Sequence, residues 1–479
     1  MQDGRLRHVP LRGGRRGVGL RAGGLRGRGV GHGATLAQPG GAAQRFRGRA
    51  CAGSSPIPWR TLGRAWDAER LSGRGSHEGR AARRVPRGVA AVHVLYVIDS
   101  LHRIGGAEQG LVAMAPLLVR SGVQLDVAYL KESPGGFQPE LTAAGARVFG
   151  VHRPGRAGTA AALRRLVREH RPDLVHTTLY EADVLGRAAA LTAGTPVVSS
   201  LVNSSYGPEH LHARGLSPWK VRAAQAVDAA TAQGARRFHA LTRHVAASMA
   251  GRLRIPADRI DVVPRGRDPE LLGSVTPERR AAVRAALGLP EDVPVVLAAA
   301  RQQYQKGLDV LVEAFAAVRA HAPEAVLLLA GSPGTETARL EALAGRAGQV
   351  RFLGPRGDVY DLMAAADVFA VPSRWEGLGS AAMEAMGVGV PLVCADVPAL
   401  RETVGSPDHA LLVPPERPAE LAAALVTALD DTAAARVRAK AAQARFLATF
   451  TLPQVCGQMV GFYERSLRRA PGRPEGARP

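Results

Sequence analysis

The stretch Ala366-Asp-Val-Phe-Ala-Val-Pro-Ser-Arg-Trp-Glu-Gly-Leu-Gly-Ser-Ala-Ala-Met-Glu-Ala-Met386 decides how this chain is read. Val368–Val371 is an apolar run that reads as a buried strand, and Glu376 stands just past its end. Gly377-Leu378-Gly379 makes a flexible turn, a helix opens near Ser380, and Glu384 sits one turn into it. The glycines let backbone N–H groups approach a ligand closely. The first helical turn has unpaired N–H donors and a positive dipole end, which suit a phosphate. Carboxylates beside a phosphate would repel it unless they face sugar hydroxyls, which an acceptor-only group binds well. The segment therefore implies a site for a sugar joined to a phosphate. The plainer reading is a strand, a turn and a helix carrying two solvated acids.

Working outward, apolar runs alternate with amphipathic stretches. Val92–Ile98, Leu125–Leu130, Leu174–Leu179, Val197–Val202, Phe238–Leu241 and Ile260–Val263 read as strands. Helices are expected over 107–120 and 159–170, where Leu111, Met114, Ala115 and Leu118, then Leu163, Leu166 and Val167, line one stripe. Pro264-Arg-Gly-Arg-Asp-Pro269 breaks the series, and Thr276-Pro277-Glu278 resembles a helix start with Pro in first position. Val295–Ala300, Ala325–Ala330, Val350–Leu353, Val368–Val371, Leu392–Ala395 and Leu411–Val413 then resume the alternation. Such βα series imply parallel sheets with right-handed crossovers. The expected class is α/β, with two doubly wound Rossmann-like domains, 91–270 and 292–450, joined by a linker at 271–291. A crossover helix and tail are expected at 451–479. Ligands of such sheets bind at the carboxyl ends of the strands, so the cleft should lie between the domains.

Charge divides the chain. Residues 1–90 hold 19 Arg, no Lys and 4 acidic residues, most of the formal +22. This Gly/Arg-rich leader lacks apolar periodicity and is expected to be disordered. Arg15-Arg16 is not followed by the apolar stretch an export signal needs. Arg/Gly tails bind nucleic acid or anionic membrane. Phe46, Trp59 and Trp66 are few beside 19 arginines, which argues against a specific nucleic acid, and peripheral contact with an anionic membrane stays open. No apolar run approaches the ~18 residues of a membrane span. Cys51, Cys394 and Cys456 show no metal or redox spacing, which fits a reduced, cytoplasmic setting.

Two further motifs follow strands. Gly105-Gly106-Ala107-Glu108 opens the first helix, where its amides can meet a phosphate or a sugar. Arg301, with Lys306-Gly307 beyond it, follows the first strand of the second domain. A guanidinium fork and a flexible ammonium there can neutralise a diphosphate; solvated surface charge is the other reading.

Glu376 and Glu384, separated by seven residues and flanked by Ala366-Asp-Val-Phe and Pro391-Leu-Val-Cys-Ala-Asp-Val-Pro-Ala-Leu-Arg-Glu402, resemble the paired-glutamate motif of the retaining GT-B glycosyltransferases of family 4, the group 1 transferases. The resemblance extends over residues 92–465 and includes Gly331-Ser-Pro-Gly334 and Phe352-Leu-Gly-Pro-Arg-Gly-Asp358. It implies transfer of a sugar from a nucleotide-sugar donor to an acceptor it does not identify, such as a glycan of the cell envelope, a glycolipid or a small molecule. It also implies retention of configuration, no cofactor and no obligatory metal. By this resemblance Glu376, Arg301 and Lys306 are catalytic. Gly105, Gly106, Gly377, Leu378, Gly379 and Glu384 join them in binding the donor, with Glu376 on the sugar, Glu384 on the ribose and Val350–Asp358 beside the base. Ala300 departs from the family, where Gly is frequent. On the acceptor side, His176 and Asn203 are the candidates. His176 belongs to a stretch that is often His-x-His, with Thr178 in the second place here; it is equally readable as a core histidine. Val202 stands where many members carry a His near the reacting sugar. Two other functions stay open: a sugar-nucleotide isomerase on the same fold, and an inactive binding subunit of a polysaccharide assembly complex.

Overall fold

The computed structural model describes residues 92–103, 105–208 and 217–468. The basic leader and Cys51 lie outside the described residues. The first sheet contains β1 (His93–Ile98), β2 (Gln124–Tyr129), β3 (Arg147–Gly150), β4 (Leu174–Thr178), β5 (Val197–Leu201), β6 (Arg237–Ala240) and β7 (Ile260–Val262). Its order is β3-β2-β1-β4-β5-β6-β7, all parallel. The second holds β8 (Val295–Ala299), β9 (Val326–Ala330), β10 (Val350–Gly354), β11 (Val368–Val371), β12 (Leu392–Ala395) and β13 (Leu411–Val413), parallel in the order β10-β9-β8-β11-β12-β13. These are the two doubly wound domains expected. The central strands are buried on both faces, which is why they read as unbroken apolar runs. The strand order reverses between β1 and β4 and between β8 and β11, and at such switch points loops diverge and leave a crevice.

Two details differ from the sequence reading. β3 was not expected: it is a four-residue edge strand with no buried residue, so it carries no apolar run. The segment 271–291, expected as a linker, contains the helix Pro277–Ala286. Thr276 caps it through its side chain and Pro277 takes its first turn, as the Thr-Pro-Glu pattern indicates. This helix is fastened to the second sheet. Arg280 and the fully buried Arg284 reach opposite oxygens of Asp367 at 2.5 and 2.7 Å. Val283 packs on the second-domain core, and the two guanidinium groups add polar anchors that an apolar pattern does not show.

The chain crosses between the sheets twice, and the crossings pair. Arg267 N–H donates to the Phe450 carbonyl (2.9 Å), and Leu452 N–H donates to the Arg267 carbonyl (3.0 Å). Gly266 is required there, because a Cβ would lie 2.8 Å from Leu452 Cα. The helix Leu452–Leu467 then packs Val455, Met459, Phe462 and Tyr463 onto Val94, Leu174, Val198 and Val263 of the first sheet.

A buried hydrogen-bond chain pins that helix. His239 Nε2 donates to the Val263 carbonyl (2.7 Å), so its Nδ1 accepts from the Ser200 hydroxyl (2.9 Å). Ser200 then accepts from His176 Nε2 (2.7 Å), which leaves His176 Nδ1 to accept from the Tyr463 hydroxyl (2.9 Å). Each bond fixes the tautomer of the next, and the chain requires both imidazoles to be neutral. Burial first, and the Arg265 charge after it, push His239 down to about 4, while a backbone acceptor opposes them in part. Burial likewise holds His176 well below the usual histidine range. The unfolded chain therefore binds protons that the folded chain refuses between pH ~6.5 and ~4. Stability is full above pH ~6.5 and falls with pH through that window, by on the order of 3 kcal/mol for His239 alone. Urea unfolding at pH 7.5 and 4.5 should show this loss, and His239→Gln should lessen it; equal losses in both proteins would refute the assignment.

Candidate active site

The carboxyl ends of β1, β8 and β11 face one cleft of about 770 Å³. Its lining includes Gly105, Gly106, Asn203, Arg301, Lys306, Glu376, Gly377, Leu378, Gly379 and Glu384. Ten of the eleven site residues expected from sequence thus share one cavity. The eleventh, His176, does not. It is 1 % exposed, takes part in the chain beneath the first sheet, and borders a separate cavity of about 40 Å³. Its placement is that of a core histidine rather than an acceptor-side group, because both ring nitrogens are already bonded within the protein. Thr178, in the second place of that motif, is buried and bonded to the Tyr96 hydroxyl at 2.6 Å. Asn203 lines the cleft, and its Oδ1 accepts from Ser204 N–H (2.9 Å).

Glu376 is nearly buried, and two donors meet its Oε1: Lys306 Nζ at 2.6 Å and the Ser373 hydroxyl at 2.8 Å. Lys306 ends a short 3-10 turn, Tyr304–Lys306, closed by Gly307 at φ +61°. The glycine is needed twice, for its left-handed backbone and because a Cβ would overlap the Pro372 carbonyl. Arg374 ties this turn to the loop carrying Glu376. Its N–H donates to the Gln305 carbonyl (2.8 Å), and its Nη1 donates to the Tyr304 carbonyl (2.7 Å). Gln305 answers with a bond from Nε2 to the Trp375 carbonyl (2.9 Å). The Arg374 guanidinium stacks 3.9 Å from the Tyr304 ring centre and grips both oxygens of Asp309 at 2.9 Å. Burial works against the Arg374 charge, but its bonds to Asp309 and Glu416 outweigh that and hold the group firmly protonated.

The Gly377–Gly379 turn meets the first domain. A Cβ on Gly377 would overlap the Val202 carbonyl, and the Gly377 carbonyl accepts from the Thr242 hydroxyl at 3.0 Å. Gly379 caps the helix Ser380–Val388 at φ +81°, so the turn bends without strain and leaves the first helical N–H groups facing the cleft. Glu384 is not free. Arg267 places Nε at 2.8 Å and Nη2 at 2.7 Å on its Oε1, while among the described residues nothing bonds Oε2. Arg301 is exposed on the cleft wall with no ion pair among the described residues.

Gly105 and Gly106 begin the helix Gly106–Arg120. A Cβ on Gly105 would overlap the Glu108 carboxylate, which folds back and takes a bond from the Ser100 hydroxyl (3.1 Å). A Cβ on Gly106 would stand 2.8 Å from Arg265 Nη1. The pair therefore makes room for an arginine as well as exposing amides. Arg265 and Arg267 are what the sequence reading missed, since their segment was taken only as a break between domains. Two arginines around a glycine, directly after an apolar strand, were the available signal. Among the described residues, no group of three or more His, Cys, Asp or Glu is placed to hold a metal, and no helix is long and apolar enough to cross a membrane.

Comparison with known proteins shows the family of the chain. Residues 279–445 match the family described as glycosyl transferases group 1, and residues 105–266 match the glycosyl transferase 4-like domain. The 2-deoxystreptamine N-acetyl-D-glucosaminyltransferase of Streptomyces fradiae is 33% identical over 312 residues, 61% of this chain and 71% of that protein. The chain belongs to the group 1 glycosyl transferases. A D-inositol 3-phosphate glycosyltransferase of Jonesia denitrificans is 36% identical over 224 residues, 44% of this chain and 52% of that protein. The chain spans about half the length of the first curated relatives it matches. Among solved structures, Anabaena Alr3699/HepE in complex with UDP and glucose superposes with a TM-score of 0.68 at 25% identity, covering 78% of this chain and all of that one. The architecture of this group 1 transferase is thus GT-B.

Arg374 carries the rigidity of the Lys306–Glu376 pair. Arg374→Ala would leave buried Asp309 with Arg339 as its remaining cation, at 3.0 Å. A loss of roughly 2–4 kcal/mol in unfolding free energy is expected, somewhat below that for a wholly orphaned buried charge. Urea titration checks this, and a change under ~0.5 kcal/mol would show that the stitch is not strained by the substitution.

Proposed function

We propose that this chain is a retaining glycosyltransferase of family 4 that moves a sugar from a nucleoside diphosphate sugar to a hydroxyl of a polyol acceptor. The convergence of Arg301, Lys306 and the Ser380 helix start on one cleft wall, with Glu376 beside them, carries this reading. Anabaena Alr3699/HepE, of the same architecture, is described with UDP and glucose. The relatives named above are described as transferring sugars to inositol 3-phosphate or 2-deoxystreptamine, both polyhydroxylated rings, which favours an acceptor of that class.

In the proposed reaction the bond from the sugar C1 to the β-phosphate oxygen breaks, and its electron pair stays on that oxygen. The acceptor oxygen forms its bond to C1 on the same face, and its proton passes to the departing phosphate. The transition state has oxocarbenium character. The protein's part is to hold the partners and stabilise the charge that develops on the phosphate, which is work for preorganised donors. Arg301 and Lys306 would bind the diphosphate together with the amides of Gly377–Gly379, so no obligatory metal is proposed. Glu376, aligned by Lys306 and Ser373, would accept hydrogen bonds from the donor sugar. Glu384, its Oε1 held by Arg267, would offer Oε2 to the ribose. Asn203 would face the acceptor.

Glu376→Ala should abolish transfer while leaving the melting temperature close to wild type; full turnover by the folded variant would remove the assignment. Arg301→Ala and Lys306→Ala should each cost about 2–4 kcal/mol in transition-state stabilisation, and the double variant less than the sum. The kcat/KM of each, measured by nucleoside diphosphate release across a panel of nucleotide-sugars with and without EDTA, tests the site. A strict divalent-ion requirement or an active double variant would overturn it. Release of a changed nucleotide-sugar in place of nucleoside diphosphate would instead identify an isomerase.

A further inference from the structure

Arg265 is a cation without an anion. It leaves the end of β7 through Pro264, and its stem runs under the helix Gly106–Arg120, where a Cβ on Gly110 would stand 3.4 Å from its Nε. Its guanidinium then emerges into the large cleft beside Gly106. Among the described residues its hydrogen bonding amounts to one long contact, 3.5 Å from Nη1 to the Ser380 hydroxyl. The five N–H donors of a guanidinium are therefore almost unused. The carboxylates within electrostatic range are those of Glu108 and Glu376, and each is already engaged, by Ser100 in the first case and by Lys306 and Ser373 in the second. Burial, then the neighbouring Arg267, depress Arg265 to about 10, so it stays charged at neutral pH despite its surroundings.

Arg265 is only partly exposed, and a cation there whose donors are almost unused by the protein favours a counter-ion. Gly106 begins one helix and Ser380 begins the other, each introduced by a glycine and each from a different domain. Arg265 lies between these two N-terminal ends, touching both. All three features favour an anion at the same place.

We propose that Arg265 is a further catalytic residue, a third cation that grips the leaving diphosphate of the donor between the two helix starts. This rests on the function proposed above. Arg301 and Lys306 come from the second domain, whereas Arg265 reaches the phosphate from the hinge side. As the C1–O bond breaks and negative charge collects on the β-phosphate, a donor fork already in place there stabilises that charge with little reorganisation.

The test uses the full chain and inorganic pyrophosphate as the probe. Arg265→Gln keeps a polar but shorter, uncharged side chain, and Arg265→Lys keeps the charge without the fork. Calorimetric titration should show pyrophosphate binding to wild type, roughly 10–100-fold weaker binding to Arg265→Gln, and partial recovery in Arg265→Lys, as expected for loss of charge-assisted hydrogen bonds. The kcat for donor turnover should fall in the same order, with melting temperatures near wild type. A merely structural arginine predicts the opposite split: lower melting temperatures with unchanged pyrophosphate affinity in the folded protein. Unchanged affinity and turnover in Arg265→Gln would overturn the proposal while leaving the transferase reading intact. Arg265-dependent pyrophosphate binding in a protein that consumes no nucleotide-sugar would sustain the anion site and remove the transferase reading.

Discussion

The Lys306–Glu376 pair is the constraint on which the cleft depends. It joins the loops after β8 and β11, adjacent strands on either side of the switch point of the second sheet, at 2.6 Å. One loop is a single 3-10 turn and the other is bent through glycine, and bonds from Gln305 and Thr242 also fasten them. The pair is kept in register from beneath by Arg374, which bonds the backbone of one loop while belonging to the other. With its guanidinium stacked on Tyr304 and clamped by Asp309, Arg374 has little freedom left to lose when a ligand arrives.

The distribution of charge around that pair indicates what the cleft takes. Lys306 is neutralised by Glu376 and Arg267 by Glu384, whereas Arg301 and Arg265 have no such partner among the described residues. Two uncompensated cations and two helix starts face a cavity whose carboxylates are already oriented by donors. A ligand with two negative charges and several hydroxyls would complete that pattern, and a neutral sugar or a cation would not. The same pairing explains how two acids tolerate a phosphate nearby, because each has a dedicated positive neighbour.

Much of the fold was legible because parallel strands buried on both faces show as apolar runs, and every expected strand is present. What escaped notice was stabilised by something other than apolar residues. β3 is an exposed edge, and the helix Pro277–Ala286, of which only the start was read, is anchored in part by Arg280 and Arg284 on Asp367. The cleft lining from the second domain was legible because glycines and charges at strand ends are a local pattern. His176 was not, because its partner Tyr463 lies 287 residues away and no local feature could show that both ring nitrogens were already spoken for. Arg265 escaped for a related reason: its value comes from two glycine-led helices that meet it from different domains.

The segment Arg265-Gly266-Arg267 also accounts for why the cleft and the domain crossing cannot vary independently. Gly266 packs against Leu452, and Arg267 exchanges backbone bonds with Phe450 and Leu452, so this is the place where the two chain crossings hold each other. From either side of that glycine one arginine faces the start of the Gly106 helix and the other grips Glu384 on the Ser380 helix. The chain crossing and this part of the cleft lining are therefore built from the same three residues. A substitution at Gly266 would disturb both, since any Cβ there meets backbone atoms of the second crossing rather than a side chain able to move aside.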